Sequence, residues 1–138
     1  GLIFPLNEED LMIDPIEIQD HWPRIAAIDF GWDHPTAVVW CAIDNESDTF
    51  YIYDCYRASK ASPTVHSEVI RQRPYFIPIA YPHDGNRRDS MGNPGLAEQY
   101  RGHGCNFLLQ HFQSQRYAIA GTDPEWTSDI TYRNYGIV

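Results

Sequence analysis

Lysine is almost absent from this sequence: nine of its ten basic residues are arginine, and Lys60 stands alone. Arginine is the better fork for phosphate and carboxylate, although a genome-wide compositional bias gives the same count. Cysteine is scarce, with Cys41, Cys55 and Cys105 far apart and no C-x-x-C pair, which argues against a structural zinc site. An odd count without a secretory pattern fits reduced thiols in a cytosol. No apolar run approaches the ~20 residues that span a bilayer. No signal-peptide pattern opens the chain, which begins on Gly rather than Met, as a processed product or an excised piece would. There is no G-x-x-x-x-G-K-[ST] phosphate loop, no H-E-x-x-H and no G-x-S-x-G elbow, so an ATPase motor, a zincin and a serine hydrolase of those kinds are excluded. Positive charge is missing from the first 20 residues, which carry Glu8, Glu9, Asp10, Asp14, Glu17 and Asp20.

What remains is a chain of 138 residues, 43% apolar, with a net charge of −9. That is the size and composition of one globular domain. Without the six leading acids the balance is 13 acids against 10 bases, so much of the acidity belongs to the leader. An acidic surface repels a phosphate backbone at long range, and a nucleic-acid partner would need a local basic patch, a metal ion or another domain.

Residues 1–23 read as an acidic arm or linker, interrupted by Pro5, Pro15 and Pro23, extended and with at most one short strand. Residues 24–138 read as the domain, with a weak pattern after 112. Residues 24–30 are apolar on both alternating faces and predict a central strand. Residues 36–43 and 49–57 predict two more strands, and the polar turn Asp44–Asp48 makes them an antiparallel hairpin. Ser62-Pro63 starts a helix with Val65, Val69 and Ile70 as its apolar stripe. A fourth strand over 76–81, a second helix from Asn93-Pro94 to Gly102 and a fifth strand over 105–109 follow. Strand, strand, strand, helix, strand, helix, strand is an α/β sheet of mixed direction: a three-stranded antiparallel meander followed by helix-strand-helix-strand.

Two carboxylates end two of these strands, Asp29 and Asp84. If the first and fourth strands are parallel neighbours, their backbones lie ~4.8 Å apart and both carboxylates reach the carboxyl edge where open α/β sheets bind ligands. Such a pair suits one or two Mg²⁺ or Mn²⁺ ions, which take oxygen ligands. Two metals ~3.5–4 Å apart can drive phosphodiester hydrolysis. An Asp at a strand end is also a common turn residue, but a carboxylate on an apolar strand is costly unless paired or metal-bound. Asp33, His34 and His83 are accessory candidates, with turn and strand-end roles as the plain alternative. Arg87 and Arg88 are the best local phosphate contacts, and Arg71, Arg73 and Arg101 add to them if their helices face the same way. Trp32, beside Asp33, is a surface candidate for stacking on bases.

The stretch Arg24-Ile-Ala-Ala-Ile-Asp-Phe-Gly-Trp-Asp-His-Pro-Thr-Ala-Val-Val-Trp resembles the nuclease domain of the large terminase subunit of tailed bacteriophages, in the ribonuclease H-like superfamily. The likeness continues through Tyr51-Ile-Tyr-Asp-Cys-Tyr-Arg, Pro63-Thr-Val-His66, Ile79-Ala-Tyr-Pro-His-Asp-Gly85 and Leu96-Ala-Glu-Gln-Tyr-Arg101, and covers residues 1 to about 112. The resemblance implies a ribonuclease H-like fold and a metal-dependent endonuclease, with a two-metal Mg²⁺ or Mn²⁺ site, that cuts concatemeric viral DNA during packaging. It makes Asp29 and Asp84 the metal ligands and catalytic residues. It implies double-stranded DNA, an upstream ATPase domain, a small terminase subunit and a portal as partners, no membrane, and the host bacterial cytoplasm as the place of action. The family's third acid, on a helix near its C-terminus, has no match here. Asp123, Glu125 and Asp129 are acids in that region, but nothing sets them on such a helix; either the chain is truncated or its tail diverges. A catalytically inactive fragment serving as an interaction module, or another nuclease of the superfamily such as a junction resolvase, are the rival readings.

Overall fold

The computed structural model describes residues 7–86 and 90–109. Chain order is α1 (Glu8–Leu11), β1 (Arg24–Asp29), β2 (Thr36–Asp44), β3 (Thr49–Ala58), α2 (Pro63–Ile70), β4 (Ile79–Ala80), a 3-10 turn (His83–Asn86) and α3 (Leu96–Gly102). The sheet order is β3-β2-β1-β4. β1 pairs antiparallel with β2 and parallel with β4, and β2 pairs antiparallel with β3. This is the mixed sheet that the sequence pattern predicts, with β1 central in it.

The hairpin forms because two apolar runs are joined by a self-closing polar turn. The Asp44 carboxylate accepts the Glu46 N–H at 3.0 Å and the Ser47 hydroxyl at 2.7 Å, and Asp48 takes the left-handed conformation at φ 53°. Tyr53 is an extra residue in β3, a bulge opposite the Trp40–Cys41 step.

The helices α2 and α3 pack on one face of the sheet. Ala26, Ile28, Val38 and Trp40 meet Ile70, Ala97 and Tyr100 there, with Ile77, Ile79, Tyr81, Cys105 and Phe107. A large apolar side chain buried in this way contributes roughly 1.5–3 kcal/mol, and Trp40, Tyr81 and Tyr100 are each 1% exposed. On the other face only Ile25 and Cys41 form a buried cluster among the described residues, with Val39, Ala80 and Leu108 against it. Ala27 and Asp29 are exposed on β1, so that strand is covered on one face and only partly on the other.

Four expectations shift. The fourth strand is two residues long, because Pro78 has no N–H to give to a ladder and offers only its carbonyl, which Ala26 N–H reaches at 2.9 Å. The fifth strand reduces to a parallel bridge between Phe107 and Ile79. Ile79 N–H donates to Asn106 O and Ile79 O accepts from Leu108 N–H, both at 2.9 Å. The second helix starts at Leu96 rather than at Asn93-Pro94. Among its described residues, 7–23, the arm holds the short helix α1 and no strand; the three acids of α1, Glu8, Glu9 and Asp10, suit the positive end of a helix. Beyond α1 the arm lies against the hairpin, with Trp22 stacked on Tyr51 of β3 at 5.5 Å and Pro23 O accepting from Ile43 N–H of β2 at 3.0 Å.

Candidate active site

Asp29 is the last residue of β1 and is exposed, directly opposite Ala37 of β2. Asp84 lies in the 3-10 turn two residues after Pro82, also exposed. Because β1 and β4 run parallel through the pairs Ala26–Ile79 and Ala27–Ala80, both carboxylates leave the sheet at the same edge. The register that the sequence left conditional is therefore present.

The two segments are joined by an aromatic platform. Phe30, Tyr81, Tyr100 and Phe107 form one block: Tyr100 stacks on Phe107 at 4.9 Å, Tyr81 on Phe107 at 5.3 Å, and Phe30 leans on Tyr100 at 5.7 Å. Gly85 sits on this block, buried, with the rings of Phe30 and Tyr81 against its backbone. Phe30 follows Asp29 and Gly85 follows Asp84, so one contact fixes both acids' backbones. Burial pushes the Tyr100 hydroxyl far above its usual range and keeps it protonated under the platform. The Tyr81 hydroxyl accepts from Arg101 at 2.8 Å, and Arg101 also donates to Leu108 O.

The loop after Asp29 is closed by hydrogen bonds. The Thr36 hydroxyl accepts the Gly31 N–H at 3.1 Å and donates to the Gly31 carbonyl at 2.9 Å. A Cβ on Gly31 would stand 2.3 Å from His34 O, so the loop closes on a position that admits no side chain. Lys60 N–H donates to Trp32 O at 2.8 Å and ties the loop to the segment after β3. Trp32, Asp33 and His34 are exposed on this loop, as is His83 at the start of the 3-10 turn.

Arg87 and Arg88, Asp123, Glu125 and Asp129 lie outside the described residues. Arg73 and Arg101 do not join a basic patch. Arg73 bonds Asp54 at 2.9 Å and lies over Trp40 at 4.3 Å, and Arg101 is held by Tyr81 and Leu108. Arg71 stands past the far end of α2, beside Gly104. The sequence pattern passed over Arg57, which stands opposite Ala37 in the same cross-strand row as Asp29.

Among the described residues no group of three or more His, Cys, Asp or Glu side chains converges on a metal position. Two exposed carboxylates at one edge nevertheless fit Mg²⁺, which binds through one or two carboxylates and fills its shell with water and substrate phosphate oxygens. Two clefts of about 260 and 240 Å³ lie elsewhere. One is between Trp40, Arg73, Ile77 and Asn106, the other between residues 13–18 of the arm and Tyr51–Tyr53. Neither includes Asp29 or Asp84.

A mixed sheet in the order β3-β2-β1-β4, flanked by helices, is the ribonuclease H-like class of fold. The chain belongs to the terminase RNaseH-like domain family, which matches residues 26–123. Among solved structures, the nuclease domain of the P22 large terminase matches it with a TM-score of 0.71 and 27% identity, over 98% of this chain and 70% of that one. The large terminase subunits of Enterobacteria phage LP7 and Salmonella phage P22 are each 33% identical to it over 111 residues, 80% of this chain. The chain spans 23% and 22% of the length of those two proteins.

Proposed function

We propose that this chain is the nuclease portion of a phage DNA-packaging terminase, a metal-dependent endonuclease that cuts concatemeric viral DNA. The observation that supports the reading is the parallel pairing of β1 and β4, which takes the segments bearing Asp29 and Asp84 to one sheet edge, beside a shared aromatic platform. Similarity to a terminase nuclease domain supports the same reaction class. In this reading both carboxylates hold Mg²⁺ or Mn²⁺ and face the scissile phosphate. Divalent ions so held supply charge at the attacking and leaving oxygens of a phosphodiester. Asp29 and Asp84 orient them from fixed backbone, and Asp33, His34 and His83 stand near enough in sequence to orient water or phosphate.

The substrate is double-stranded DNA and the setting is the host bacterial cytoplasm; among the described residues no helix is long and apolar enough to cross a membrane. The arm before Arg24 is the connection to an upstream ATPase domain, and the small terminase subunit and portal are the further partners. Phosphate contacts carry no base information, so the isolated domain cuts with little sequence preference.

Nicking of supercoiled plasmid in Mn²⁺ tests this. The parent chain should cut, and Asp29→Asn and Asp84→Asn should each lose about 100-fold or more, the scale of removing one charge-stabilising group from such a site. A folded parent that neither cuts nor binds Mn²⁺ by calorimetry would overturn the reading. It would favour an interaction module, for which the two-acid set among the described residues already speaks.

A further inference from the structure

We propose that the DNA strand reaching Asp29 runs along the rim of the sheet, over Ala37 and on to Arg57 and Lys60, with Trp32 packed against it. This path rests on the nuclease reading and adds the side chains that grip the substrate.

The register makes the row. Asp29 is paired with Ala37 across β1 and β2, and Ala37 with Arg57 across β2 and β3. Directly opposed residues put their side chains on one face. Two strand spacings separate the ends of the row by ~10 Å, a span that neighbouring phosphates of one strand can bridge. Asp29 and Arg57 are exposed, and the residue between them carries only a methyl group, so within the row itself no long side chain blocks the path. The row lies on the sheet face away from α2 and α3, since the alternate β1 residues Ala26 and Ile28 meet the helices.

Among the described residues Arg57 is also a cation with no partner. Among the described arginines, Arg73 is bonded to Asp54 and Val69 O, Arg101 to Tyr81 and Leu108, and Arg24 lies over Tyr53 and Phe76. Arg57 makes no hydrogen bond or ion pair among the described residues. Lys60 joins it at the same edge through an unusual conformation. Its φ is 55°, in the left-handed region that disfavours a side-chain-bearing residue. That conformation turns the chain back so that Lys60 N–H reaches Trp32 O. Trp32 is 58% exposed on a loop that Thr36 clamps shut. A flat ring held in solvent three residues from Asp29 gains by stacking on a base or sugar. A chain with net charge −9 needs local cations of this kind to hold a polyanion.

Anisotropy of a fluorescein-labelled DNA duplex, titrated in Ca²⁺ at several salt concentrations, tests the path. Arg57→Ala and Lys60→Ala should each weaken binding about fivefold to tenfold at 0.1 M salt, and each should lower the slope of log K against log salt by about 1. Arg57→Lys should keep most of that slope. Trp32→Ala should weaken binding with the slope unchanged. Urea midpoints confirm that each variant is folded. Parent-like affinity and slope in the Arg57→Ala/Lys60→Ala double variant would overturn the path while leaving the nuclease reading intact. An equal loss in Arg71→Ala, at the far end of α2, would mean that net charge alone governs binding, and would overturn it too. A folded parent that does not bind duplex at all would overturn the nuclease reading and the path together.

Discussion

The ring of Phe30 lies against the backbone of Gly85, so close that a Cβ on Gly85 would stand 2.9 Å from Phe30 Cε2 and 2.7 Å from Tyr81 Cδ2. Glycine is needed here for lack of room, since real side chains do not approach at such distances. The contact joins the residue after Asp29 to the residue after Asp84. Gly85→Ala should therefore cost about 1–3 kcal/mol as an overpacked core site does, read as a lower urea midpoint. It should also reduce plasmid nicking in conditions where the variant is fully folded, because the 3-10 turn must lift off its platform and take Asp84 with it. Full nicking by a destabilised Gly85→Ala would show that the platform serves stability alone.

Thr36 controls the other side of the site. Thr36 is 2% exposed, and its hydroxyl serves both backbone groups of Gly31. Thr36→Val keeps the shape and leaves the Gly31 N–H and C=O unpaired, at a cost of about 1–3 kcal/mol. The loop bearing Trp32 should loosen, so duplex affinity falls along with stability. Thr36→Ser, which restores the hydroxyl, should recover the affinity. An affinity unchanged in Thr36→Val would sink the clamp argument.

The meander and the candidate acids were legible because local pattern encodes them. Alternating apolar runs flank the Asp44–Asp48 turn, and Asp29 is conspicuous as a carboxylate closing an apolar strand. What the sequence could not carry is register. Arg57 becomes a neighbour of Asp29 only through two successive strand pairings, and nothing near residue 57 signals them. Gly85 reads as an ordinary turn glycine, whereas its reason is two aromatic rings brought from Phe30 and Tyr81. The fourth and fifth strands were overestimated for a related cause: residues 76–81 and 105–109 are apolar enough for strands, but Pro78 cannot donate, and Tyr75 and Phe76 are turned out to solvent. Pairing there is confined to Ile79 and its neighbours.

The last prediction concerns pH and the seat of α2. His66 is 1% exposed, its Nδ1 is 2.9 Å from the Tyr56 hydroxyl, and its ring meets the Tyr56 ring edge-on. Burial holds the imidazole below its ordinary pKa of 6.5, favouring the neutral ring. Above pH 6.5 the ring is neutral in both folded and unfolded chains, and the contact contributes fully. As pH falls below 6.5 the unfolded chain takes up a proton that the folded chain refuses, so stability drops, by at most about 1.4 kcal/mol per pH unit for one proton. The loss continues until the folded chain's own lower pKa is passed. Urea midpoints between pH 7.5 and 5.5 should fall for the parent and fall less for His66→Phe, which cannot titrate, and the difference between the curves isolates this residue from the other histidines. Parallel curves would show that His66 is not held neutral. Tyr56 directly precedes Arg57 in β3, so the same protonation should loosen the strand end that carries the proposed DNA contact. Duplex affinity of the parent should therefore fall more steeply toward pH 5.5 than that of His66→Phe.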